Sequence, residues 1–183
     1  MIKALNSILM ILFTSSPLLG GTLSLVDSQV TFVAIGKPGF LKINGKGAQL
    51  KGSLQYTGRE LTGELLVPMN QFVTGIELRD DHMKKTYFEV DKYPEAQLKI
   101  TKVEWKEKTS QKNLPFQGLL SFHGLEKPVE GTVDIDVEQT KFSMQARFGL
   151  QLSDYKIDIP SYAGVKVADK VEVKAELSAE ERP

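Results

Sequence analysis

The sequence predicts an all-β domain in which one antiparallel sheet closes into a barrel, with one short helix between strands. The first observation is a two-residue alternation of apolar and polar side chains that recurs along the chain past its N-terminal segment. The second is that the alternating runs are mostly joined by short turns containing Gly, Asn, Asp or Lys, as in a meander of neighbouring strands. The third is that only one stretch departs from this period. A sheet with a single apolar face then has almost no helix to cover it, and closing the sheet on itself hides that face and removes exposed edges. A β-sandwich satisfies the same alternation, so pattern alone leaves both arrangements open.

The chain opens with MIKALNSILMILFTSSPLLGG: a cation at Lys3, an apolar run from Ile8 to Phe13, then small and polar residues with Pro17 and Gly20-Gly21. This is the layout of a secretory signal peptide, and its apolar core is shorter than the ~20 residues a membrane-spanning helix needs. Residues 1–21 are therefore read as a signal peptide, with an uncleaved anchor as the alternative. Residues 22–178 form one barrel domain, and 179–183, within "SAEERP", a charged C-terminal tail expected to fray. The expected location is periplasmic or secreted, with no stable membrane span once the signal is removed and a monomeric or homodimeric state.

Eight alternating segments follow: Val30–Ala34, Leu50–Tyr56, Leu61–Val67, Ala96–Ile100, Leu114–Phe122, Val129–Val137, Phe142–Leu152 and Val171–Leu177. In the seventh, Phe142, Met144, Ala146, Phe148, Leu150 and Leu152 alternate with mostly polar partners, which gives one buried and one solvated face. "GKPGFLKINGKG" lacks the strand–loop–helix setting and GK[ST] ending of a phosphate loop, and reads as a flexible rim or irregular strand.

The stretch without a period of two is "ELRDDHMKKTYFEVDKYP". Thr74-Gly75-Ile76-Glu77 before it matches a capping box. Ile76, Met83 and Tyr87 then fall on one face of a helix of two to three turns, laid across one end of the sheet. Pro94 pushes Tyr93 into an extended conformation that launches the next strand. Arg79 and His82 share a helix face, while Asp80–Lys84 and Asp81–Lys85 have the spacing of weak ion pairs.

These residues offer little chemistry. Lys+Arg and Asp+Glu each total 23, without the excess of cations that nucleic-acid binding needs. The absence of cysteine removes thiolate metal sites, cysteine nucleophiles and redox pairs. A metal needs several ligands converging on one point, which His82 with Asp80 or Asp81 does not supply. Ser121 and His123 share a strand face but lie too far apart for a nucleophile and base, with no third group to orient them. No catalytic residue, metal or cofactor is expected, apart from a bound lipid. The remaining candidates are apolar: Phe32, Phe40, Leu54, Leu65, Leu98, Ile100, Phe116, Leu120, Phe122, Met144, Phe148 and Leu150 can all point into one barrel. A barrel of eight strands is near the size at which the interior is either filled or holds one ligand.

Taken in order, "TGIELRDDHMKKTYFEVDKYPEAQLKI", "LSFHGLEKPVEGTVDI", "FGLQLSDYKI" and "VADKVEVKAEL" resemble the YceI-like family of secreted, lipocalin-like barrels, from about residue 22 to 178. The resemblance implies an eight-stranded lipocalin-like antiparallel barrel with a long hydrophobic cavity. It implies carriage of polyisoprenoid or isoprenoid quinone chains, or of fatty amides or acids. It places Arg79, Asp80, His82, Phe88, Tyr93 and Pro94 in a signature at the barrel corner, Lys127-Pro128 in a turn signature and Asp154 in a late one. Met83, Glu89 and Ile35-Gly36 depart from the family pattern. The function expected is a non-enzymatic binding protein that sequesters or carries a long apolar chain. The alternatives are a non-binding structural or stress-related envelope protein with a filled barrel, and an enzyme acting on a lipid headgroup through His82.

Overall fold

A computed structural model of the protein describes residues 20–37, 41–106, 108–162 and 165–182. The strands in chain order are β1 (Gly20–Lys37), β2 (Lys42–Ala48), β3 (Lys51–Thr57), β4 (Glu60–Pro68), β5 (Glu95–Glu104), β6 (Gln111–Phe122), β7 (Leu125–Glu138), β8 (Lys141–Gln151), β9 (Ser161–Tyr162) and β10 (Val165–Glu181). A helix, α1 (Glu77–His82), runs into a π-helical turn, Met83–Tyr87. All pairings are antiparallel, and β1 pairs with β10 to close the sheet. The long β1 meets β3 along its first half and β2 along its second, so β2 and β3 act as one broken stave. With the short β9 as an extra hairpin arm on β10, the closed barrel has eight staves. Closure decides against the sandwich.

Bulges explain why some strands were legible only in part. On β1 the inward positions are Leu23 and Leu25, then Val30, Phe32 and Ala34. The parity switches at a register shift between Leu25 and Asp27, where Val26 is thrown out to 63 % exposure. On β5 a shift between Ile100 and Lys102 likewise moves the buried set from Ala96 and Leu98 to Val103, after which Trp105 is buried just past the strand. Of the glycine-rich segment read as a flexible rim or irregular strand, Lys42–Gly47 lies in β2, a strand whose register with β1 shifts at Gly47, which has φ +111. A Cβ on Gly45 would lie 2.0 Å from the ring of Phe32, its register partner, so only glycine lets that ring cross the strand.

Two further expectations change. The charged tail continues β10 through Ser178, Ala179 and Glu180 to Glu181, with Ala179 buried and Glu181 opposite Leu23, so Ser178–Glu181 is a strand end rather than a frayed tail. The hairpin between β6 and β7 turns at His123-Gly124, both with positive φ. Lys127 and Pro128 lie beyond it, within β7. Phe40 and residues 1–19, most of the expected signal peptide, lie outside the described residues.

Candidate functional site

The two ends of the barrel are filled differently. At one end Trp105 packs edge-on against Tyr56 and Phe142, with Leu23, Leu54, Leu61, Val103 and Ile135 also almost fully buried. At the other end the strands enclose a cavity of about 460 Å³, inside the ~300–1,000 Å³ range of ligand pockets. Val30, Phe32 and Ala34 of β1, Leu120 and Phe122 of β6, Phe148 and Leu150 of β8, and Val167, Val171 and Val173 of β10 form its wall. A barrel filled throughout is therefore not what this sequence builds.

The segment 74–94 covers this end, and its start differs from the capping box expected. Asp80, not Glu77, closes it: the Asp80 carboxylate accepts the Thr74 backbone N–H at 2.7 Å and also the Thr74 hydroxyl. Arg79 folds back over the same residue, donating from Nε to Thr74 Oγ1 at 2.7 Å and from Nη2 to the Thr74 carbonyl at 2.8 Å. Asp80 is thus committed to Thr74 rather than to Lys84. The second expected pair is made, Lys85 to Asp81 at 2.7 Å, and holds the Asp81 carboxyl below its ordinary range.

Past His82 the winding loosens, and the Phe88 N–H reaches the Met83 carbonyl five residues back at 2.8 Å. Such a π-turn shifts the side chains that follow it. Met83 and Phe88 end buried beneath the helix, with Phe88 edge-on to Phe32, Phe72 and Phe122 at 6.4, 6.2 and 5.8 Å. This aromatic group forms one side of the cavity. Ile76 and Leu78, on the rim, are 55 % and 65 % exposed, and Leu41, Pro160 and Ser161 complete the lining nearby.

Among the described residues lining the cavity, polar groups are confined to Thr74, Arg79, His82, Tyr87 and Ser161, and no carboxylate is present. Arg79 and His82, predicted to share a helix face, do so and both touch the cavity. Tyr93 and Pro94 are absent from its lining. The Tyr93 ring packs on His123 at 4.6 Å between centroids and the Pro94 carbonyl accepts the Met69 N–H at 2.9 Å, which locks the corner. His123, read as a turn-flanking residue, is largely buried there. Its Nδ1 lies 2.9 Å from the Tyr155 carbonyl and its Nε2 2.7 Å from Glu89 Oε2. Among the described residues, no group of three or more His, Asp or Glu side chains could hold a metal ion.

Of the twelve apolar candidates, Phe32, Leu120, Phe122, Phe148 and Leu150 stand on the cavity wall. Leu54, Leu65, Leu98, Ile100, Phe116 and Met144 do not. They point inward but are in or against the packed core, because alternation reports the face of a residue and not which part of the interior it borders. Sequence reading missed the lining residues Met69, Phe72 and Ile157, which lie in or beside short 3₁₀ turns, Met69–Gln71 and Leu152–Tyr155, where no alternation exists to expose them. Leu152 was read on the buried face of the seventh segment but not among the twelve candidates, and it lines the cavity from the second of these turns.

The chain matches the YceI-like domain over residues 22–179. Its backbone is similar to a polyisoprenoid-binding domain from Saccharophagus degradans implicated in plant cell wall breakdown, with TM-score 0.67, 18 % identity, and 88 % of this chain and 98 % of that one covered. It is also similar to BcnA of Burkholderia cenocepacia (0.65, 17 %, 82 % and 95 %) and to the YCEI protein of Campylobacter jejuni (0.65, 17 %, 79 % and 88 %). At these identities the structural likeness establishes the fold. No curated protein matches the chain. The family match spans most of the sequence, and the chain belongs to the YceI-like domain family.

Proposed function

We propose that the protein binds one apolar chain in the open half of its barrel and carries it through an extracytoplasmic compartment without chemically altering it. The observation that carries this reading is the cavity of about 460 Å³, walled by aliphatic and aromatic side chains, whose polar groups gather at its lid and rim. The binding role of a structural relative, the Saccharophagus degradans domain, supports it, and the signal-like layout of residues 1–21 supports the compartment. Binding is driven by desolvation: each buried methylene contributes about 0.8 kcal/mol, so a dozen supply about 10 kcal/mol before the cost of association is subtracted. Arg79, with N–H groups beyond those given to Thr74, provides donors and a positive charge near the mouth, and His82 adds a polar ring beside it. A head that accepts hydrogen bonds, such as a carboxylate, phosphate or quinone carbonyl, suits them, while a cationic head finds no acidic partner in the lining.

Two measurements test this. Native mass spectrometry of protein purified without detergent should find a co-purifying chain, and a dansyl-labelled undecanoic acid should brighten on binding and be displaced by unlabelled fatty acid. Leu150→Trp, which fills the cavity, should abolish the fluorescence gain while the far-UV spectrum is kept. Protein that is lipid-free and fails to take up the probe would refute the carrier reading.

A further inference from the structure

Helix α1 borders the cavity and buries none of its own residues. Ile76, at its N-cap, and Leu78, in its first turn, belong to the cavity lining yet are 55 % and 65 % exposed. Among the described residues, one large exposed apolar side chain, Val26, belongs to the bulge in β1. The others, Ile35, Val73, Ile76 and Leu78, lie in residues 73–78 or near the end of β1. Ile35 follows Ala34 of the cavity wall, and the next residue, Gly36, donates its N–H to the carbonyl of the cavity-lining Leu41 at 2.7 Å. A single exposed Leu or Ile is ordinary, but several around an apolar opening mark a contact surface.

Cations stand beside this rim. Lys42, the register partner of Ile35, follows Leu41, and Lys166 lies opposite the cavity-lining Ser161 and precedes the cavity-lining Val167. Both lysines are exposed, and neither forms an ion pair among the described residues. Arg79 adds a positive charge at the mouth itself. On the opposing side, Asp80 is engaged by Thr74 and Asp81 by Lys85. Glu77 on the helix and Asp158, close in sequence to the exposed Lys156, are the carboxylates left facing solvent near this opening among the described residues. The rim is apolar with an excess of positive charge around it.

Resting on the carrier reading above, we propose that this end of the barrel docks on an anionic lipid bilayer, so that the chain passes directly between membrane and cavity. Ile76 and Leu78 enter the interface, and Lys42 and Lys166 face headgroup phosphates. Contact is favoured because the alternative is slow. Each methylene drawn into water lowers the rate of escape by up to about fourfold, so a dozen slow an aqueous route on the order of ten-million-fold. A rim that enters the headgroup layer removes that step, and the lipid phosphates supply the negative charge these lysines lack in the protein. A second copy of the chain is the poorer fit, because a two-fold contact between identical faces brings the same cations together.

The test follows an anthroyloxy-labelled stearic acid as loaded protein delivers it to vesicles carrying a quencher. The transfer rate should rise in proportion to vesicle concentration. It should be faster to vesicles of equal phosphatidylglycerol and phosphatidylcholine than to phosphatidylcholine alone, and high salt should remove the difference. Lys42→Gln and Lys166→Gln should each slow transfer to the anionic vesicles by roughly fivefold. Neither lysine lines the cavity, so affinity for the dansyl probe without vesicles should stay the same. Leu78→Ser should reduce flotation of the protein with the anionic vesicles, a readout that needs no bound chain. A rate independent of vesicle concentration, or indifferent to both lysines, would overturn the docking while leaving the carrier reading intact. A protein that sediments as a dimer, and as a monomer once Leu78→Ser is made, would assign the rim to a second copy and overturn the docking too. Failure to take up any labelled chain in vesicle-free solution would overturn the carrier reading, and flotation alone would then decide whether this end meets a membrane.

Discussion

Tyr155 shows how one side chain ties the corner to pH. It is 1 % exposed, its ring packs on Phe122 at 5.3 Å, and its hydroxyl finds no partner among the described residues. Burial, assisted by the charge of Asp154, pushes its pKa from 10 up to about 12. The neutral form is the one the fold accepts, so this contribution is fully present below pH 10. It is lost as pH rises from 10 towards 12, because the unfolded chain ionises first. Alkaline titration of the melting temperature should therefore show an added decline above pH 10 that Tyr155→Phe abolishes. At neutral pH the same variant should be neutral or stabilising by up to about 2 kcal/mol, since it removes a buried hydroxyl without a protein partner. A loss of stability at pH 7 would show that the hydroxyl is satisfied in solution. Gly45 makes the opposite case, of a residue with nothing to remove. Gly45→Ala drives a Cβ into the Phe32 ring and should cost about 1–3 kcal/mol in urea denaturation.

At the level of elements, the lid is the part whose stability is separable from the barrel. Its first turn depends on the Asp80 carboxylate that receives both donors of Thr74. Asp80→Ala should cost about 1 kcal/mol, the usual worth of a capping interaction. Hydrogen exchange should place the loss in residues 74–88, with the strands unaffected. Uniform acceleration across β5 and β6 would mean that the lid is instead part of the global folding unit. This element also shows the reach of sequence reading. Its existence, its position across one end, and the shared face of Arg79 and His82 were legible, because helical spacing puts residues three apart together. The choice of Asp80 over Glu77 was not, since both are carboxylates near the Thr and only the backbone path after Gly75, with φ +86, selects between them. Strands were legible wherever parity held. Val103 and Trp105 escaped because the bulge after Ile100 switches the inward set from even to odd positions. Five cavity-wall residues were identified among twelve candidates because the two-residue period says which face a residue is on and not which part of the interior it borders: Leu98 is paired with Leu120, yet only Leu120 lines the cavity.

For the molecule as a whole, filled and hollow halves assign stability and binding to different places along the same strands. Truncating a packed residue forfeits both its transfer free energy and the contacts around the space it leaves, whereas a residue bordering an existing cavity has fewer contacts to lose. Leu54, 1 % exposed in the filled half, and Leu150, half-buried on the cavity wall, make the comparison with the same change of side chain. Leu54→Ala should cost about 3–5 kcal/mol of unfolding free energy and Leu150→Ala about 1 kcal/mol, measured by chemical denaturation on lipid-free protein. Binding should respond in the reverse order. Leu150→Ala removes apolar surface that a chain would touch and should weaken a sixteen-carbon fatty acid several-fold. Leu54→Ala, while folded, should leave that affinity unchanged, because Leu54 lies in the packed core and not on the cavity wall. Equal stability costs at the two sites would mean that the open half is collapsed in solution when no ligand is bound, and the barrel would then have to open before it could load.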